Sequence, residues 1–345
     1  MPYDFKQLKK QLSKFLGYFS RTELVLVPHE ELLRVYQPVT DIDWIIAQSL
    51  GGVSVLKNGR PVILISKKYA VNKTVASFIA GHEIVEEYLR IVSNSESSDS
   101  ERITYSPVNV DLGRNFPLEP LWKAKQRIVK FLLEDDYNLD SLLEELIRDK
   151  EKEAFAIECR NFNHRSLKEG FCTVLGGVLA NYQPESPEKD SLKQELIGAV
   201  ERAENNMKNW QTLEKHRNKL ISSDFEILQK LALYTTLIYD SGILKCINDL
   251  RSKTISAWEE PRVIEWARKM VNQIIKPEKG VLHPNSGDEN TTLFLRSLKE
   301  LEKTRMIYKE ARSKAYFLGL EIDKSLIQTQ ETLSPIRTDL ENLLE

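Results

Sequence analysis

The chain predicts an α+β fold: a small N-terminal α/β layer containing a β-hairpin, followed by a large, mostly α-helical region. Three observations predict it. Short β-branched runs ended by proline, glycine or asparagine are confined to the chain before about residue 110. Asn58-Gly59 separates two of those runs, and Asn-Gly between apolar runs is the strongest short-range hairpin signal. From about residue 120, apolar residues recur at helical spacing almost to the C-terminus. The chain is therefore divided into residues 1–110, an α/β domain with the hairpin and the helix carrying HEIVE, and residues 111–345, an α-helical domain.

The elements follow in order. An amphipathic helix is expected from about Phe5 to Phe19, then a strand at Glu23-Leu24-Val25-Leu26-Val27 stopped by Pro28, then a short helix HEELLRVY. Runs 51–56 and 61–65 form the hairpin. Asn72 can cap the next helix, which should end near Val92, where the polar tract Ser93 to Ser100 begins a loop. Proline-containing segments at 105–107 and 115–120 lead into the helical region, whose breaks fall at 182–187, at Trp258-Glu259-Glu260-Pro261 and at 276–288. Asp190–Ile221 and Thr291 to about Leu326 are its long, charged helices, the second with Leu295, Leu298 and Leu301 at helical spacing.

Composition narrows the function classes. Forty-nine basic against fifty-one acidic residues give a net charge of −2, so the overall balance does not point to nucleic acid as a partner, although a local basic patch is compatible with it. Cys159, Cys172 and Cys246 are odd in number and widely spaced, which argues against a disulfide framework and a thiolate zinc site and fits a reducing, cytoplasmic setting. No run approaches the ~18 apolar residues of a membrane helix, so no membrane partner is expected. Neither a Walker A loop nor Gly-x-Gly-x-x-Gly is present. Asp41 and Asp43 before Ile63-Leu64-Ile65-Ser66-Lys67 fail as a magnesium nuclease core because Ser66 stands where an acid is needed.

The sharpest motif is VASFIAGHEIVEEY, residues 75–88. Positions i and i+4 share a helical face, so His82 and Glu86 can reach one ion. Both fall on the stripe Val75, Phe78, Ile79, Val85, Leu89, where a carboxylate must be paired, protonated or bound to a cation. His29-Glu30 is a second His-Glu, but Leu33 occupies the position of a second ligand. His164, His216 and His283 read as capping or solvated histidines, and the cysteines as small buried hydrophobes. Trp258 and Trp266 mark a helix start that belongs to a satellite core cluster or a contact surface.

A hairpin followed by FIAGHExxE resembles the core of the zincin metallopeptidases, especially their compact intracellular branch, over about residues 50–180. The resemblance implies a metal-dependent hydrolase acting on a peptide or protein, with His82 as a metal ligand and Glu83 as the catalytic general base. Glu86 stands where those enzymes carry their second histidine, which makes the site degenerate. The third ligand has two candidates: Glu169, in Ser166-Leu167-Lys168-Glu169-Gly170-Phe171, resembles the distal glutamate of some zincins and is preferred, and Glu153, in Glu151-Lys152-Glu153-Ala154-Phe155-Ala156, resembles the corresponding stretch of the compact branch. One imidazole with two carboxylates suits zinc, manganese or iron. Three outcomes stay open: a working metallohydrolase, a zincin-like fold that has lost catalysis, and an unrelated fold whose helical region binds protein partners as a scaffold subunit of a larger, nucleic-acid-handling complex.

Overall fold

The computed structural model describes residues 3–36, 51–57, 60–68, 70, 73–96, 118–133, 136–149, 152–180, 241–246, 248–249, 260–275 and 292–307. The Asn58-Gly59 turn, Asn72, Asp41 and Asp43, the tract 97–117, Asp190–Ile221, His216, Trp258, His283 and the chain after 307 lie outside the described residues.

The N-terminal layer is built as expected. Helix α1 (Lys6–Leu16) buries Leu8, Leu12 and Leu16, one residue per turn, and Gly17 closes it with φ 63° and its N–H on the Ser13 carbonyl. Strand β1 (Glu23–Val27) is followed by α2 (His29–Tyr36), then β2 (Gly52–Lys57) and β3 (Arg60–Ser66). The sheet order is β1-β3-β2, parallel between β1 and β3 and antiparallel across the hairpin, with Gly52 opposite Ile65 and Val55 opposite Val62. The central strand reads Val62-Ile63-Leu64-Ile65 without a polar residue because both its faces are covered. Ile63 and Ile65 enter the main core, whereas Val62 and Leu64 pack with Val27 and with Leu32 of α2.

Helix α3 (Lys73–Glu96) lies on the main-core face and runs on through Ser93, beyond the expected end. The Ser93 hydroxyl donates to the Arg90 carbonyl at 3.0 Å, so the first serine of the polar tract is satisfied within the helix instead of breaking it.

The rest of the described chain is helical: α4 (Leu118–Leu133), α5 (Leu139–Asp149), α6 (Lys152–Phe171), a widened π-type continuation over Cys172–Leu179, a segment at 241–246, α7 (Glu260–Ile275) and α8 (residues 292–307). Among the described residues two helical cores form. One joins α1, β3, α3, the π segment and α7, with the Trp266 ring 5.5 Å from that of Phe171 and tilted 45° to it, so Trp266 belongs to the main core and not to a satellite. The other joins α4, α5, α6 and α8 around Phe131, Phe155 and Phe162. In α8 the buried apolar positions are Phe294, Leu298 and Leu301, while Leu295 is exposed. Steps of three residues lag the helical turn, so from Leu301 backwards the stripe passes through Leu298 to Phe294 and leaves Leu295 on the outside. Cys159, Cys172 and Cys246 are buried and unoxidised.

Candidate metal centre

Helix α3 can meet the π segment closely because each offers a glycine at the crossing. A Cβ on Gly81 would run into the Gly176 carbonyl, and a Cβ on Gly176 into that of Gly81. The contact is therefore backbone on backbone, and it sets His82, the next residue, against the last turn of α6. A second crossing of this kind brings Gly170 onto Gly242.

At this crossing His82 Nε2 lies 3.6 Å from Glu169 Oε2, and Nδ1 lies 3.2 Å from the Thr173 hydroxyl. With the ring protonated at Nδ1, that proton goes to Thr173 and Nε2 keeps its lone pair toward Glu169. Donor atoms of His82, Glu83 and Glu86 all lie within 4.8 Å of one another. Glu83 points toward the sheet, where a Cβ on Gly52 would come 2.9 Å from its Cγ and 3.1 Å from Oε1, so only glycine lets β2 pass this close. Lys168 completes the cluster, its ammonium 2.6 Å from Glu86 Oε1 and 3.8 Å from Glu169 Oε1. The side chain of His82 is 13% exposed, those of Glu86 and Glu169 30% and 27%, so the imidazole is inside and the two carboxylates form a rim that water reaches.

The electrostatics separate the carboxylates. Burial, then the charges of Glu86 and Glu169, push Glu83 well above the usual carboxylate range. Burial also raises Glu169 against the pull of Lys168. For Glu86 burial acts upward too, but Lys168 and His82 outweigh it and hold the group below its ordinary value. Neighbouring acids whose proton affinities are driven apart in this way are the arrangement from which acid and base roles arise.

The donor set fits a divalent ion on one count that the coordinates supply. Two ligands about 2.1 Å from a tetrahedral ion stand roughly 3.4 Å apart, and the His82 to Glu169 gap is 3.6 Å. The structure thus brings together His82, Glu83, Glu86 and Glu169. Glu153 sits in the first turn of α6, about 24 Å along the helix from Glu169 at ~1.5 Å per residue.

The stripe expected on α3 is only part of the picture. Glu83 and Glu87 are more deeply buried than Glu86, because α3 is enclosed by α1, the sheet and the π segment rather than covered on one face. Glu87 accepts hydrogen bonds from the hydroxyls of Ser20, at 3.0 Å, and Thr22. Lys168, Thr173 and Glu87 escape sequence reasoning, since their partners lie 65 to 91 residues away.

The remaining histidines separate clearly. His29 is buried at the start of α2 with Nδ1 3.0 Å from the Ser66 hydroxyl, and burial followed by Lys68 lowers its pKa. His164 is not a cap: it lies half-buried within α6, where burial, then Lys168, Arg165 and Arg160, lower its pKa to about 4. A depression lined by Glu265, Arg268, Lys269, Asn272 and Gln273 lies on the exposed face of α7 and shares no residue with the cluster. Among the described residues no helix is long and apolar enough to cross a membrane. Compared with protein-family models, with curated proteins and with solved structures, the chain matches none.

Proposed function

We propose that the chain is a zincin-like, metal-dependent hydrolase of peptide bonds, with His82, Glu86 and Glu169 as ligands and Glu83 as general base. The observation that carries the proposal is that donor atoms of His82, Glu83 and Glu86 lie within 4.8 Å of one another, with Glu169 of a second helix 3.6 Å from the same imidazole. When bound, zinc, manganese or iron would supply Lewis acidity to a carbonyl at that site.

The chain's own residues do the rest. Thr173 orients the His82 ring through Nδ1, which aims Nε2 at the ligand position. Glu83, against Gly52, takes a proton from the attacking water at its carboxylate oxygen and returns it to the leaving amine. A base must be ionised to act, and Glu83 is driven toward its protonated form by burial and two neighbouring anions. Neutralising Glu86 and Glu169 with a divalent charge would remove the repulsive part of that shift while the part due to burial stays, so a loaded site favours the ionised base more than an ion-free one does.

One observation favours a second function. Lys168 already satisfies Glu86, so a non-catalytic scaffold subunit, docking protein partners through its helices, could keep the cluster as a buried ion pair. Hydrolysis separates the two. With zinc or manganese supplied, the full chain should cleave an unstructured peptide substrate, and Glu83→Gln should abolish cleavage while the ion stays bound. Metal-supplemented protein that cleaves no peptide, or Glu83→Gln that cleaves like wild type, would remove the enzymatic proposal.

A further inference from the structure

Lys168 is the cation that contacts both Glu86 and Glu169, and we propose that it is an exchangeable one: its ammonium secures the two carboxylates when no divalent ion is bound and turns away when the ion enters. The inference rests on the metal-centre proposal and concerns what controls occupancy of that same site.

Three features carry it. The ammonium lies 2.6 Å from Glu86 Oε1 and 3.8 Å from Glu169 Oε1, so it draws on the carboxylates an ion would need. An ammonium and a divalent ion sharing those oxygens would repel each other at a separation where little screening intervenes, so the two occupancies exclude one another. Charge favours the exchange, since two carboxylates against one ammonium leave a net negative charge and against a divalent ion leave none.

The side chain can make the move. Lysine is a compact charge on a flexible four-carbon stem, able to keep its methylenes against the helix while the head turns to water. Its side chain is 10% exposed and lies beside those of Glu86 and Glu169, which are 30% and 27% exposed, so its path to solvent is short. Lys168 also adjoins Glu169 on α6, so its displacement would reach the ligand helix directly. The consequence is a site whose affinity is set below what its ligands alone would give, because an internal cation competes for the same carboxylate oxygens.

Two measurements on the full chain test this. Lysine labelling by an amine-reactive reagent, read by peptide mass spectrometry, reports whether Lys168 is accessible with and without zinc or manganese. Calorimetric titration of the same ions compares wild type with Lys168→Met, which keeps an apolar stem; Lys168→Gln serves if the first variant does not fold by circular dichroism. We expect Lys168 to label several-fold faster in the presence of the ion, and the variant to bind roughly ten- to a hundredfold more tightly. If wild type binds the ion, yet Lys168 labels at an unchanged rate and the variant binds no more tightly, the exchange is overturned and the metal centre stands. If neither wild type nor variant binds zinc or manganese, the metal centre fails and the exchange fails with it.

Discussion

Replacing Gly81 with alanine tests whether the site is held by the backbone crossing beneath it. In an isolated helix the change would be favourable by up to ~1 kcal/mol, because alanine loses less backbone freedom than glycine. Here the new methyl points at the Gly176 carbonyl, and neither partner is a side chain that can turn aside. The helices must part by an amount on the order of 1 Å, and a gap of ~0.5–1 Å already forfeits a quarter to a half of each dispersion contact it opens. The contacts at risk include Ala80, Ile84, Cys172 and Leu175, all at most 1% exposed. Overpacking costs ~1–3 kcal/mol and sometimes more, so the net loss should be about 2–3 kcal/mol. Gly177→Ala is the control: its methyl meets the ring of Phe78, which is half-buried and can turn, so the loss should stay within about 1 kcal/mol. Urea midpoints followed by circular dichroism give both numbers. Gly81→Ala as stable as wild type, or less harmful than Gly177→Ala, would refute the crossing as the element that positions His82.

Further outcomes follow from the buried groups. Because the folded-state pKa of Glu83 is raised, the stability it contributes is present below the ordinary carboxylate pKa and is lost as pH rises through the folded value. Ion-free Glu83→Gln should therefore gain stability over wild type at pH 7–8 and lose that advantage near pH 4 in thermal melts, and a constant difference across that range would contradict the assignment. For His164 the folded pKa is depressed from 6.5 to about 4, so its stabilising neutral form is lost as pH falls through that window. His164→Gln should recover roughly 2–3 kcal/mol at pH 4 and little at pH 7.5, and an unchanged acid limb in the denaturation curve would count against it. Glu87→Ala leaves the Ser20 and Thr22 hydroxyls without their acceptor and should cost about 2–3 kcal/mol by urea denaturation; a loss below ~0.5 kcal/mol would show that the buried carboxylate anchors nothing.

What was legible in the sequence was local. The hairpin, including the strand Val62 to Ile65, announced itself through Asn58-Gly59 between two apolar runs, whereas the covering of that strand on both faces comes from the fold. His82 and Glu86 share a face because i and i+4 must, whatever surrounds them. Misreadings arose where tertiary context overrode pattern. The serines after Val92 resembled a loop, but a side-chain bond to Arg90 keeps the first of them helical. Leu295 looked like core until the phase of α8 gave its place to Phe294. The stripe on α3 hid Glu83 and Glu87, because a helix enclosed on most sides has no polar face to spare. Lys168 adjoins Glu169 in the sequence, yet its role depends on Glu86, eighty-two residues earlier in the chain, a pairing that only the fold creates.

Elemental analysis of the purified full chain and its ligand variants tests the central claim most directly. Wild type should hold about one divalent ion per chain, by the three-ligand logic of such centres. His82→Ala should lose it, because it removes the only imidazole that the described residues bring to the cluster. Glu86→His frees Lys168 from its 2.6 Å partner and restores a second imidazole, so it should hold zinc at least as firmly as wild type. No ion in wild type, together with none gained by Glu86→His, would contradict the metal centre and leave the cluster as a buried ion-pair network of the fold.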